Sequence, residues 1–361
     1  MKNKRLFIGS SICLILVLAV FFLMTGCAPA PAADPAPPAE ADPAPTPAED
    51  PPPPPAEPTV IKAVTFLPVG FIATEHAHRY VEEIEQRSNG QLIIDIIGAG
   101  DVIPTEEQIF AVKEGRIDMI FSCGDDISQA SPMGFAMILT GMDVWEEREA
   151  GIWDFYREIF ARDCNAYYLG SLQHPMWWNL FTNVEAKSPD DIKGLKIRCG
   201  ATHFGSVAAV GAEPISTPMM EIYTAMERGM IDGFVFPPCG WTQFGWHEVT
   251  DYWVGPRLVR GQNSTPLINL DVWNSLTQEE QDLLTQTVID IEQDMFDLHW
   301  WIWTGDEYGE ESILNAGVQH IKWSDEDSEM FQEAWKNALW DYVEDQVRPD
   351  DFARFKELVG H

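Results

Sequence analysis

Basic residues are scarce. The 361-residue chain has 23 Lys and Arg against 57 Asp and Glu, a formal charge of −34. Such a surface offers no footprint for nucleic-acid phosphates or anionic headgroups, which excludes binding to DNA, RNA or a lipid surface. Metal-ligand spacing is missing too, since the eight His and six Cys include no CxxC and no HExxH. There is no GxSxG elbow, no glycine-rich phosphate loop and no local Cys/His pair, so nothing marks a nucleophile with its base. Gly98-Ala99-Gly100-Asp101 follows a strand but lacks the third glycine that a dinucleotide pyrophosphate needs. Acids are so common that carboxylate pairs arise by chance and carry no argument for glycosidase chemistry. What the chain does have is apolar: 45% hydrophobic residues with 14 Trp and 19 Phe, which excludes global disorder, in a length suited to two lobes.

The first 58 residues stand apart. Lys2, Lys4 and Arg5 precede an uncharged run from Leu6 to Met24. This is the order of a secretory signal, positive and then apolar. Leu23-Met24-Thr25-Gly26-Cys27 resembles a bacterial lipobox, which implies that residues 1–26 are removed and that Cys27 is lipidated. Residues 28–58 hold 14 of the 26 prolines, with Ala and six acids making up most of the rest. That composition predicts an extended tether, residues 27–58 counting the lipidated Cys27, reaching on the order of 90 Å at ~3.1 Å per residue. The expectation is an extracytoplasmic protein, lipid-anchored to a bacterial membrane at the periplasm or cell surface. Cys123, Cys164, Cys199 and Cys239 remain, an even number that spacing does not pair.

From Thr59 the pattern alternates strand and helix. Strands are predicted over 60–66, 91–97 and 117–121. Helices are predicted at Glu75 to Arg87 and at Glu106 to Glu114, the second with Thr105 and Gln108 as a capping box. This order predicts parallel pairing with right-handed crossovers. The second half repeats the theme with strands at 195–198 and 231–236 and helices at 203–210 and from Pro218 to Glu227. Thr277 and Glu280 form another capping box. It opens an apolar period through Leu284, Val288, Ile291, Met295, Leu298 and Ile302, which predicts one helix of nearly 40 residues.

Arg198 stands out because it ends a predicted strand just before Cys199-Gly200 and a helix. Ligands of open α/β sheets sit at the carboxyl ends of strands, and a guanidinium there matches a carboxylate bidentately. In a chain with 57 acids an interlobe salt bridge is the equal alternative on position alone. His76 and His78, two apart on a helix, are a weak metal pair.

Ser188-Pro189-Asp190-Asp191-Ile192-Lys193-Gly194-Leu195-Lys196-Ile197-Arg198 resembles a segment of the substrate-binding proteins of tripartite ATP-independent (TRAP) transporters. Val210-Gly211-Ala212-Glu213-Pro214 and the block from Glu221 to Gly233 do as well, in order and at family spacing. Weaker likeness covers Asn89-Gly90-Gln91 and the block from Val112 to Met119, so the resemblance spans nearly all of residues 60–361. It implies a two-lobed, periplasmic-binding-protein-like α/β fold with crossing strands and a long bracing helix. Lobe I would be about 59–175 plus 264–303 and lobe II about 176–263 plus 304–357. It also implies that Arg198 is the family's carboxylate clamp, that the chain is not an enzyme, and that its partners are an organic acid and the transporter's membrane subunits.

Departures from the pattern bear on the substrate. Members that bind sialic acid carry a second arginine where Trp178 stands and an Asn where Phe236 stands. Members that bind 2-oxo acids through a metal carry a Gln near Trp177 and a Glu-Trp pair where Val235-Phe236 stand, so no cofactor or metal is expected. Around one arginine this leaves Trp177, Trp178, Met219, Phe236 and Trp241 as candidate walls, with core burial as the competing role. Glu75, His76, Asp125 and Asp126 are candidates from the first lobe. One guanidinium with apolar walls suits a monocarboxylate with an apolar or aromatic body. A sensor presenting a carboxylate to a signalling receptor would share the same cleft, and the sequence does not separate it from a transporter component.

Overall fold

The computed structural model describes residues 57–173, 176–261 and 264–361. The leader, Cys27 and the proline-rich tether lie outside the described residues. β1 (Thr59–Thr65) alternates at its start, burying Ile61 and Ala63 while Val60 and Lys62 stay exposed. It pairs in parallel with β2 (Leu92–Gly98) and with β3 (Met119–Cys123). α1 (Glu75–Arg87) and α2 (Thr105–Lys113) make the two crossovers. α1 stops at Asn89 and Gly90, both at positive φ, which is how an α-helix ends when the chain must turn back into a strand. After α3 (Gly124–Ile127), α4 (Val144–Glu149) and α5 (Ile152–Cys164), the sheet is completed by β4 (Ala166–Tyr168) and β12 (Ser264–Asn269). The order is β2-β1-β3-β12-β4, with β12 antiparallel to both its neighbours.

The second sheet has the order β13-β10-β6-β9-β7-β8. It is built from β6 (Asn179–Thr182), β7 (Lys196–Arg198), β8 (Glu213–Ile215), β9 (Gly233–Phe236), β10 (Tyr252–Val254) and β13 (Gln319–Ile321). α6 (Phe204–Ala209) and α7 (Ile222–Glu227) lie between its parallel members. A two-stranded ribbon of β5 (Met176–Trp177) and β11 (Arg260–Gly261) joins the segments that run between the sheets. Each sheet thus draws on discontinuous stretches of chain. The aromatic cluster on one face of the second sheet, Phe181, Phe234, Trp241, Trp246 and Trp253, is separate from the large core, which takes in the first sheet and also Leu180, Ile197, Val235 and Val254 of the second. A smaller apolar cluster, with Leu67, Phe71, Met176, Cys239, Ile302 and Trp303, draws on both sides.

Two expectations are corrected. Thr105 does not cap α2. It is the first helical residue, and its hydroxyl donates to the Phe66 carbonyl at 3.2 Å, while Gln108 donates to Thr65 and Ile103 carbonyls at 3.0 and 3.1 Å. Those side chains tie α2 to the end of β1 instead.

The long helix is two, α9 (Gln278–Asp290) and α10 (Glu292–Thr304), after the short α8 (Leu270–Ser275). Ile291 leaves helical geometry at φ −98, ψ 2, yet Met295 N–H still reaches its carbonyl at 2.9 Å. Apolar spacing runs straight through this kink because no Gly or Pro marks it. The Thr277–Glu280 capping box does open α9.

Beyond α11 (Glu310–Asn315), the C-terminal helices α12 (Asp325–Gln346) and α13 (Pro349–Val359) touch elements next to both sheets. Ser206 of α6 donates to Trp335 of α12 at 2.8 Å, while Phe135, from the first sheet's side, stacks on Tyr342 edge-on. α13 lies on α5, where Arg354 pairs with Glu158 at 2.6 Å and Phe355 meets Phe155 at 6.2 Å. Cys123, Cys164, Cys199 and Cys239 are all buried and free.

Candidate functional site

β7 delivers Arg198 to the carboxyl end of the second sheet, and β8 beside it exits through Thr217. The Arg198 Nε donates to the Thr217 carbonyl at 3.0 Å, which fixes the plane of the guanidinium. Among the described residues the two terminal nitrogens have no hydrogen-bond partner, although the side chain is only 9% exposed. Burial lowers its pKa from the ordinary value, with Cys199 and Asp125 pulling it back up. A guanidinium so placed stays charged and is under-used, because its own fold gives it one acceptor.

That arginine lines a cavity of about 850 Å³ between the two sheets. The first sheet contributes Phe66, Leu67 and Phe71 after β1, and Cys123, Asp125 and Asp126 at the end of β3. The second contributes Trp178, Arg198, Thr217, Met219 and Phe236. Trp178 is held by its indole N–H, which donates to the Gly261 carbonyl at 3.3 Å, and by Phe236 edge-on at 6.2 Å. Behind it lies His203, fully buried at 4.5 Å from the indole, with neither ring nitrogen partnered among the described residues. Burial first, and Arg198 second, push its pKa down to about 3, so it is neutral.

The two aspartates differ. Asp125 Oδ1 accepts from the Thr202 backbone N–H at 3.3 Å, a bond from the first sheet's side to the second's. Gly200 is the residue that permits it: a methyl there would overlap Asp125 Oδ2 and stand 3.2 Å from its Cγ. Burial raises the Asp125 pKa to about 6, against the Thr202 bond and Arg198. Asp126 rises further, to about 7, through burial and the charge of Asp125, with the Cys123 thiol donating to its Oδ2 at 3.3 Å.

Of the residues anticipated from sequence, Arg198, Trp178, Met219, Phe236, Asp125 and Asp126 come together here. Trp177, Trp241 and Glu75 do not line the cavity. Trp177 is partly exposed in the ribbon opposite Arg260. Trp241 is fully buried in the second core, 4.8 Å from Phe181 and 5.8 Å from Phe234. Glu75 opens α1, half exposed, with Arg79 at 3.9 Å. His76 turns into the core, bonded to Ser264 Oγ at 2.6 Å and kept neutral by burial, its pKa lowered to about 3. No group of three His, Cys, Asp or Glu among the described residues could hold a metal ion.

Phe66, Leu67, Phe71 and Cys239 were not anticipated. Phe66 and Leu67 directly follow β1, so the strand-end rule that singled out Arg198 was signal enough for them.

Known proteins share this architecture. A substrate-binding protein from Desulfovibrio desulfuricans, solved with sn-glycerol-3-phosphate, superimposes with a TM-score of 0.71 at 19% identity, over 84% of this chain and 96% of that one. One from Desulfovibrio salexigens, with bound orotic acid, gives 0.70 at 18%, over 83% and 98%. The sequence is 24% identical over 307 residues to a monocarboxylate 2-oxoacid-binding periplasmic protein of Nostoc, covering 80% of this chain and 78% of that one. A shorter match, 22% identical, covers 50% of the chain and 56% of the C4-dicarboxylate-binding periplasmic protein of Rhodobacter capsulatus. These likenesses show a two-lobed periplasmic fold, and among the described residues no helix is long and apolar enough to cross a membrane. The model of the bacterial extracellular solute-binding proteins, family 7 (DctP), matches residues 64–346, so the chain belongs to that family, the substrate-binding proteins of TRAP transporters, which carry solutes and do not convert them.

Proposed function

We propose that this protein captures an organic acid in the cavity between its lobes and hands it to the membrane subunits of a TRAP transporter. The acid is a monocarboxylate with an apolar or aromatic body. Its carboxylate docks on Arg198, and its body lies against Phe66, Phe71, Trp178, Met219 and Phe236. The observation that carries this reading is the buried Arg198 guanidinium with one internal hydrogen bond, on the wall of a cavity large enough for a small molecule. The relatives named above for a 2-oxoacid, orotic acid and glycerol phosphate all take anions, which supports an anion clamp. A single cation on the cavity wall favours a single carboxylate over two. With the anchor at Cys27, capture takes place at a membrane surface without the globule packing on it.

The test is native mass spectrometry of the purified protein after exposure to a bacterial metabolite extract, with the bound molecule released by denaturation and identified. Wild type should carry a single-carboxylate acid that Arg198→Met has lost while keeping its melting temperature. A bound acid retained by Arg198→Met refutes the clamp.

A further inference from the structure

We propose that the acid taken by this cavity is zwitterionic: besides the carboxylate on Arg198 it carries a protonated amine or amidine, held by Asp126 from the facing lobe. This rests on the Arg198 clamp proposed above.

The argument is one of charge and of unused hydrogen-bond capacity. The cavity wall holds four carboxylates, Asp101, Glu106, Asp125 and Asp126, and one cation, Arg198. Asp101 and Glu106 are exposed at the rim, and Asp101 already accepts from the Ala99 N–H at 2.9 Å. Asp125 is engaged by Thr202 and is felt electrostatically by Arg198.

Asp126 has no such partner. Its one side-chain hydrogen bond among the described residues is from the Cys123 thiol, a weak donor, and no described cation lies within ion-pair distance. It sits beside a second carboxylate in a partly buried wall, where two negative charges disfavour each other.

A plain carboxylate would satisfy Arg198 and bring a further negative charge toward that pair. A ligand with a cation at its other end neutralises both walls at once, and its N–H donors reach the acceptor the protein leaves open. The Arg198 guanidinium, nine-tenths buried with its terminal nitrogens free among the described residues, makes the other half of the same complementarity.

Titration calorimetry on the full-length protein tests this with matched probes. Each set consists of an amino acid, the hydroxy acid and the plain acid of one carbon skeleton, such as phenylalanine, 3-phenyllactate and 3-phenylpropionate, or 5-aminovalerate, 5-hydroxyvalerate and valerate. The amine member of the preferred set should bind at least 30-fold tighter than its partners. Asp126→Asn should erase that preference, bringing the amine member to within threefold of the plain acid in the same variant.

Proton balance gives a second reading that needs no variant. The titratable groups around Asp126 are Asp125, Glu106 and Cys123, with Arg198 facing them. An amine lowers the Asp126 pKa and releases a proton at pH 7, whereas a plain acid raises it and takes one up. Plain or hydroxy acids that bind as well as amines, or proton uptake with the preferred ligand, overturn the inference and leave the clamp standing. If the wild-type protein binds no carboxylate of any set and captures none from the extract, the clamp falls with it.

Discussion

Gly200→Ala probes the contact between the lobes with a single methyl. Gly200 sits at φ −69, ψ 160, an extended conformation that alanine adopts without strain, so the substitution should leave the fold's melting temperature unchanged or slightly raised. With the lobes together, the new Cβ overlaps Asp125 Oδ2 and stands 3.2 Å from Cγ, and the carboxylate must move away. Moving it forfeits the Thr202 N–H bond to Oδ1. A hydrogen bond to a charged group is worth roughly 1.5–3 kcal/mol. Taking about 2 kcal/mol, and 1.4 kcal/mol per tenfold, affinity should fall ~30-fold. With the lobes apart the methyl has room, so the loss falls on the closed form alone.

Calorimetry with the captured ligand measures the loss, and small-angle scattering with saturating ligand should show a larger radius than wild type. The Asp125→Ala background makes the reasoning refutable. There the three atoms nearest the methyl are gone, so Gly200→Ala should add less than threefold to whatever Asp125→Ala costs. A Gly200→Ala protein that binds like wild type, or two losses that multiply, would show that Asp125 and Gly200 do not form the latch.

Four further outcomes follow from burial, position and the leader sequence. Trp241→Ala should destabilise the fold by roughly 3–5 kcal/mol in denaturant unfolding, as a large core truncation. Met219→Ala, on the cavity wall, should weaken ligand binding several-fold and move the unfolding midpoint little. His203 has a folded pKa near 3 against an ordinary 6.5, so its share of stability is complete above pH 6.5 and is lost as pH falls toward 3. At about 1.4 kcal/mol per unit this amounts to about 2 kcal/mol by pH 5, and thermal melts of His203→Met should show that much less acid sensitivity than wild type. Cys27→Ser should move the protein from the membrane fraction to the soluble one in its host, and a protein that stays with membranes would argue against the lipobox.

Strand ends were the most legible feature. Arg198 could be singled out because a short strand, a charged residue and a following helix are local, and local order is what a sequence displays. The first lobe's wall was harder. Phe71, several residues beyond the end of β1, looks like any core aromatic, and only the position of that loop beside the cavity gives it another role.

Trp177 and Trp178 show the limit at single-residue scale. Neighbours in an extended chain point to opposite sides, so only one of the pair could face the cavity, and the register that decides it depends on pairing with residues 83 positions away. Trp241 was misplaced because burial in a core and burial in a binding wall select the same residue types. The kink at Ile291 left no mark in composition, since apolar periodicity depends on which face is buried and not on whether every backbone bond is made.

The ribbon of β5 and β11 has a consequence for how the cleft moves. The chain passes between the sheets along these two strands, and again between α10 and β13, and the two strands are bonded to each other, with Trp178 continuing the ladder to Val259 and Leu258 at 2.9 and 2.8 Å. A door hung on two adjoining hinges swings through one arc. Guests of different size therefore alter how far the door shuts and not the direction in which it swings.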